Sequence, residues 1–384
     1  MEVLILQIKI YKSLFIEYEK RQQITSEESV KYKLISLFVA FFIMGIIFAA
    51  LQVNPFIALG SIFSFSLFNP NGFAAVLTRM IPLLLCGVGL AIAYKALFWN
   101  IGAEGQLLLG AIIAIGIGVF VPGIPDPLLL PMILLMGFLL GAVWGIVPTL
   151  LKLRLNINEV ITTLMLNYIA INLVRYLIYG PWKGPYNFPL SDLLPAVAWE
   201  PLIPGTSIYV ISLILALIFA LGSYFLLFKT TIGYEIRVVG ENIQAAKYAG
   251  INYKKTILIT MIISGGLAGL AGAGLMTGVQ HRLTNPEAIS PGYGYTAIIV
   301  AWLGGLNPIS IIFASLFMSI LIVGGQNIQI LLGLPFGVVN IFNGVILAVI
   351  IAFEFLKKYK IKFVINRDVI DTESELNKSI NLKA

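Results

Sequence analysis

The sequence is short of the groups from which soluble enzymes are built. Only 11% of its 384 residues are charged, against about 25% in an ordinary soluble domain. The one cysteine, Cys86, lies inside an apolar run, so neither an internal disulfide nor a cysteine metal cluster can form. The one histidine, His281, removes a histidine-based metal site. No GxxxxGK[ST] string occurs, so the chain has no P-loop of its own. HExxH, GxSxG and acidic DxDxDG loops are also missing, and nothing offers a nucleophile beside a base. No catalytic and no metal-binding residues are expected. Carboxylates near the apolar runs are scarce: Glu104, Glu159 and, at an end, Glu354. Ion-coupled transporters carry ionisable relays within the membrane, so this scarcity argues against a self-powered pump.

Apolar residues make up 59% of the chain, and the mean hydropathy is +0.95. The apolar runs are long and continuous rather than alternating, which defines an all-α integral membrane protein. Ten spans are expected, near residues 34–53, 80–98, 103–121, 130–150, 158–179, 206–228, 256–278, 293–305, 308–326 and 334–354. The eighth is short and bounded by glycine, as a half-helix would be. With ten crossings both termini lie on one side. That side collects six basic residues in 1–33, then Lys95, Lys152 and Arg154, five in 229–255 and seven from 355 onward, 21 of the 25. By the positive-inside rule both termini are cytoplasmic. The net charge of +7 is thus a topology signal and no sign of nucleic acid. Residues 1–33 read as a cytoplasmic amphipathic segment: MEVLILQIKIYK is too short to span and lacks the basic lead and cleavage site of a signal peptide. Residues 34–354 form the transmembrane domain and 355–384 a charged cytoplasmic tail.

The longest external loop, 180–205, holds six prolines together with Trp182, Tyr186, Phe188 and Trp199. Its aromatics suit either lipid headgroups or a surface for an external partner. In SGGLAGLAGAGLMTG (264–278), Gly265/Gly269 and Ala268/Gly272 fall four apart and let neighbouring backbones approach closely. Spans two to five begin outside and spans seven to ten inside, which fits an inverted repeat.

The stretch FWNIGAEGQLLLGA (98–111) places Asn100, Glu104 and Gln106 between two apolar runs. One reading is a tight turn in which Asn100 caps the next helix and Glu104 complements its dipole. The other is a broken helix lining a polar path, tolerated at membrane depth only beside protein or water. The two are compatible. Glu104 near the bilayer centre would cost about 2.5–3.5 kcal/mol and needs a partner; Lys95 is one option. Asn167, in the middle of its span, serves either as interhelical glue or as a solute contact. Asn158 and Glu159 are expected to cap, and Gln280 and His281 to face headgroups.

Residues 229–255, KTTIGYEIRVVGENIQAAKYAGINYKK, are too polar to span. Gln244, Ala245 and Ala246 followed by Gly250 outline a short helix stopped by glycine. This string resembles the EAA-xxx-G coupling loop of ABC importer permeases, with Gln244 where Glu is usual. GYEIRVVGENIQAAKYAGI, NIGAEGQLLLGA, NEVITTLMLNYIA (158–170) and GYGYTAIIVAWLGGLNP (292–308) resemble, in this order-preserving set, the simple-sugar and nucleoside branch, ribose permeases included, over residues 75–354. The resemblance implies an importer permease for nucleosides, with simple sugars such as ribose as the alternative. It implies a coupling loop of Glu241, Asn242, Gln244, Ala245, Ala246 and Gly250 that docks on a separate cytoplasmic ATPase. That partner would hold the ATP and Mg; this chain needs no cofactor. An extracellular or periplasmic solute-binding lipoprotein and a second permease, identical or similar, are further implied partners. Asn100, Glu104, Gln106 and Asn167 are the candidate path for a small neutral solute through the lipid of the plasma membrane. An ion-coupled secondary transporter and a membrane receptor or scaffold are the rival classes.

Overall fold

A computed structural model describes residues 6–11, 14–20, 26–184, 188–333, 341, 344–346, 348–349, 352–353, 355–356 and 359–365. The chain divides into two units, residues 1–55 with 340–384, and residues 56–339.

In the first unit, α1 (Ser26–Ala50) accompanies a three-stranded antiparallel sheet, β1 (Leu6–Tyr11), β2 (Leu14–Lys20) and β3 (Tyr359–Ile365), in the order β1-β2-β3. Two described stretches of the expected amphipathic amino-terminal segment are therefore paired strands, and residues 359–365 of the tail supply the third. The reason is local: LQIKIY and YKIKFVI alternate apolar and polar residues with period two and are rich in isoleucine. The register sets Glu17 opposite Lys362 and Glu19 opposite Lys360, pairings that favour this alignment.

The second unit is helical: α2 (Pro55–Phe68), α3 (Pro70–Lys95), α4 (Ala103–Phe120), α5 (Asp126–Leu155), α6 (Glu159–Tyr179), α7 (Val210–Lys229), α8 (Thr231–Glu241), α9 (Ile243–Tyr248), α10 (Tyr253–Leu275), α11 (Pro286–Ile289), α12 (Tyr293–Leu303) and α13 (Pro308–Leu332). A π-helical turn, Met276–Gln280, extends α10. Among the described residues seven helices are long and apolar enough to cross a membrane: α3, α4, α5, α6, α7, α10 with its π turn, and α13. Counting α1 with α2 as one span gives eight. The expected eighth span is α12, whose 11 residues reach only part of the way across. The expected tenth, 334–354, falls mostly outside the described residues, and α2 has no counterpart among the expected spans.

Polar residues beside the apolar runs set the helix ends. The side chains of Asn69, Asn158, Asn242, Asn252 and Asn307 accept backbone N–H groups at the starts of α3, α6, α9, α10 and α13, satisfying donors that have no partner within the helix. Asn158 therefore caps as expected, while Glu159 pairs with Lys152 at 2.9 Å.

The glycine-rich helix α10 lies at the centre. Its Gly265 and Gly269 face the backbone of Gly141 and Gly137 on α5, and its Gly272 faces Leu107 of α4. The packing has a two-fold logic: α10 lies against α3, α4 and α5, while α3 lies against α10, α12 and α13. The series α3, irregular passage, α4, α5 thus has a counterpart in α10, irregular passage, α12, α13; the last member of the repeat expected from the sequence, 334–354, falls mostly outside the described residues.

Candidate solute path and coupling surface

After α3 the chain does not stay at the basic end of the bundle. Leu97 takes φ 54°, and the segment that follows turns back into the helices. Asn100 reaches Ser264 in mid-α10, the level at which Gly89 of α3 also meets α10. Asn100 does not cap α4 directly; Gly102 is the N-cap residue and makes no side-chain cap. Instead the Asn100 Oδ1 accepts the Gly102 N–H at 2.9 Å and the Gln106 Nε2 at 3.3 Å. Its Nδ2 donates to Gln106 Oε1 and Ser264 Oγ, both at 3.1 Å. Tyr94 donates its hydroxyl to the Asn100 carbonyl at 3.1 Å. Both amides find their partners within the bundle.

Asn167 closes the same passage from α6. Its Oδ1 accepts the Gly105 N–H at 2.8 Å, and its Nδ2 donates to the Ile101 carbonyl at 2.9 Å and the Tyr295 hydroxyl at 3.1 Å. Thr163 Oγ1 accepts the Ile101 N–H at 3.2 Å. The unwound backbone is thereby satisfied by side chains of the neighbouring helix, the condition under which irregular structure persists at this depth.

Glu104 finds its compensation at the second irregular passage, 281–292. Its carboxylate accepts the Gly294 N–H at 2.7 Å, with Ser290 and Gly292 beside it. These residues begin α12, which has no side-chain cap of its own. Gly294 lies so close that a Cβ there would come within 2.2 Å of the Glu104 nitrogen. One carboxylate therefore serves the positive N-terminal ends of α4 and α12. The helices run apart, α4 toward Trp182 and Leu194, α12 toward the ring cluster of Tyr94, Trp99 and Trp302 near the basic end.

At the opposite end sits a carboxylate that the sequence did not flag. Glu200 is buried and accepts the Ser212 N–H at 2.7 Å, the Ser212 hydroxyl at 2.6 Å and the Thr277 hydroxyl at 2.9 Å. It caps α7 from the long loop, so proximity to a span in sequence could not reveal it. Burial pushes its carboxyl above the usual carboxylate range, against hydrogen bonds from Ser212 and Thr277 that pull it down. Two loop aromatics stack on the bundle, Trp182 on Phe120 with centroids 4.9 Å apart and Trp199 on His281 at 4.1 Å, while Phe188 is exposed. His281 and Gln280, expected to face headgroups, also hold this segment: Gln280 donates to the Ala288 carbonyl at 2.8 Å. Tyr186 lies outside the described residues.

The loop 229–255 folds into α8 and α9. Asn242 caps α9 through the Gln244 and Ala245 N–H groups at 2.8 and 3.1 Å. At its other end the Gly250 N–H bonds to the Lys247 carbonyl and the Ile251 N–H to the Ala246 carbonyl, with Gly250 at φ 75°. This is a Schellman ending, which requires the left-handed residue that glycine supplies. Glu241, Asn242, Gln244, Ala245 and Gly250 are exposed, but Ala246 is buried. Ala246 seats the helix; its neighbours form the free surface. Through Gly240, where a Cβ would meet the Lys95 carbonyl oxygen at 1.8 Å, α8 presses on the end of α3 where the polar passage begins.

A bundle of apolar helices with two unwound passages meeting at a buried carboxylate has the broken-helix architecture of many membrane transporters. Comparison places it further. Residues 72–353 match the family described as branched-chain amino acid transport system / permease component. The chain belongs to that family of transport permeases, multi-pass proteins of the plasma membrane. It is 35% identical over 334 residues to a glucose ABC transporter permease of Haloferax volcanii, covering 84% of this chain and 87% of that protein. It is 33% identical over 300 residues to a nucleoside ABC transporter permease of Lactococcus lactis subsp. cremoris, covering 76% and 82%. It is 34% identical over 292 residues to a guanosine ABC transporter permease of Bacillus subtilis, covering 75% and 82%. No solved structure matches the chain.

Proposed function

We propose that this chain is the permease subunit of an ABC importer for nucleosides. The likeness to nucleoside and guanosine permeases at 33–34% identity carries the substrate class. The glucose permease at 35% identity supports simple sugars as the second reading. A separate cytoplasmic ATPase, holding ATP and Mg, docks on α9 through Glu241, Asn242, Gln244, Ala245 and Gly250, with Ala246 underneath. An external solute-binding lipoprotein delivers solute at the end of the bundle bearing residues 188–205. A second permease completes the membrane part. ATP binding moves α9, and α8 passes the motion through Gly240 to the end of α3. Asn100, Glu104, Gln106 and Asn167 hold the shape of the passage along which a neutral solute moves.

The test is uptake of labelled guanosine by proteoliposomes containing the chain with a P-loop ATPase and a solute-binding lipoprotein of the same importer. Accumulation should require ATP, survive ionophores, and be competed by other nucleosides better than by ribose or glucose. Uptake that persists without the ATPase and collapses with the ion gradient would identify a secondary transporter instead. Competition by glucose alone would move the assignment to sugars.

A further inference from the structure

Three crossing helices, α5, α6 and α7, present exposed faces, and the faces differ in chemistry. On α5 the exposed positions from Leu128 to Leu150 are all apolar, Leu135 and Leu139 among them. On α7 those from Ile214 to Phe228 are apolar too, Ile218 and Leu221 among them. These are faces for hydrocarbon. On α6 the exposed positions recur with helical spacing and form one stripe. Its half nearer the basic end is apolar: Ile161, Met165 and Ile169. Its other half carries Tyr168, Asn172, Arg175 and Tyr176.

Other groups extend this polar half. Arg175 pairs with Glu287 of α11 at 2.5 Å, with side chains 46% and 66% exposed, so a formal charge pair stands on the open face of the bundle. At the foot of the stripe the Tyr295 hydroxyl accepts from the buried Asn167, joining the face to the polar passage behind it. A headgroup belt of Tyr and Arg would account for side chains at the helix end. It does not account for Asn172 and Tyr168, which lie roughly 10 and 16 Å inside that end at 1.5 Å per residue, nor for an acidic partner. Ionisable groups within spans face the bundle interior or a water-filled cavity. Here the interior is behind the stripe, which leaves the cavity.

We propose that the polar half of α6, with Glu287 and Tyr295, lines a water-filled cleft that binds the transported solute, a neutral ring compound of the nucleoside class. Tyr168 and Tyr176 offer ring faces for stacking on a base. The Asn172 Nδ2 donates to the Tyr168 carbonyl at 2.8 Å, which holds the amide in place and leaves its oxygen and second N–H for a base edge or a sugar hydroxyl. The Arg175–Glu287 pair forms the outer rim. The identity of the solute rests on the importer reading above; the wetness of the face does not.

Cysteine labelling of the complete complex in right-side-out vesicles tests both parts. In a Cys86→Ala parent, single cysteines replace Asn172, Tyr176 and, as controls at matching depth on the apolar faces, Leu135 and Ile218. A membrane-impermeant methanethiosulfonate should modify positions 172 and 176 at least tenfold faster than 135 and 218, and guanosine should slow modification at 172. Rates at 172 and 176 no faster than at the controls would overturn the cleft even with uptake intact. Fast modification that guanosine leaves unchanged, in vesicles that take up guanosine, would overturn the solute site. If the unsubstituted complex, fully assembled, takes up no guanosine, the nucleoside reading fails by itself, and the labelling rates still decide the cleft. As a second measure, Asn172→Leu should cut guanosine uptake at least tenfold at unchanged yield and elution. Ile218→Ala should leave uptake unchanged. Normal uptake by Asn172→Leu would remove that residue from the site.

Discussion

Residues 96–106 and residues 241–250 are both polar interruptions in an apolar chain, and they use their hydrogen bonds in opposite ways. In the first, Asn100, Gln106 and Asn167 turn every amide inward, onto one another and onto unwound backbone. In the second, Asn242 and Gly250 close the two ends of α9 with local bonds and leave its surface exposed. The first region is committed to the fold; the second is finished within itself and available to a partner. Polar residue types alone do not separate these cases, because an asparagine that fixes a break and one that meets a ligand look alike in sequence.

The comparison can be broken most severely at the contact between the two passages. Gly294→Val would force a side chain into the Glu104 backbone, and overpacking of this kind costs about 1–3 kcal/mol or more. Loss of monodisperse protein on size-exclusion chromatography is expected; a fully folded, active variant would show that the passages do not meet as described. Asn100→Leu comes next. It leaves the Gly102 N–H and the Gln106 and Ser264 side chains without their partner, at about 1–3 kcal/mol for a buried group left unsatisfied. The variant should melt lower and yield less, with uptake per folded molecule near normal. Normal stability with lost uptake would instead make Asn100 a solute contact.

Glu200 gives a smaller, pH-dependent effect. Its folded pKa is raised, so the fold favours the protonated form. The associated stability is present below the unfolded carboxylate pKa and is lost as pH rises through the folded value. Glu200→Gln keeps an acceptor for the Ser212 N–H and should flatten the fall in melting temperature with rising pH. An unchanged pH profile would assign that dependence to other groups. Smallest of all, Lys254→Glu alters an exposed charge at the loop's edge, where ion pairs are weak, and should leave uptake nearly intact.

Much of this was legible in the sequence. Helix class, the half-helix at 293–303, the close packing of Gly265 and Gly269, and the glycine stop of α9 follow from local pattern. What was not legible depends on tertiary partners. Glu104 is neutralised by a helix start 190 residues away in sequence. Glu200 becomes buried only because the external loop folds down onto α7 and the π turn of α10. The amphipathic character of β1 and β2 was readable, but their third strand comes from the other end of the chain. Ala246 belonged to the right helix, yet which side of that helix is covered depends on how the loop sits against its neighbours. The polar half of α6 is visible only once its exposure can be compared with that of α5 and α7.

The central claim is that the exposed face of α9 is where a P-loop ATPase docks and drives this permease. Ala245 is exposed and takes no part in the inward packing of Ala246, so Ala245→Trp should fold normally while holding the partner surface away. The direct measurement is co-purification of the ATPase with the tagged variant, alongside ATP-driven guanosine uptake, at matched permease yield. The account predicts that Ala245→Trp loses both the bound ATPase and the uptake. A full complement of ATPase with normal uptake would contradict it.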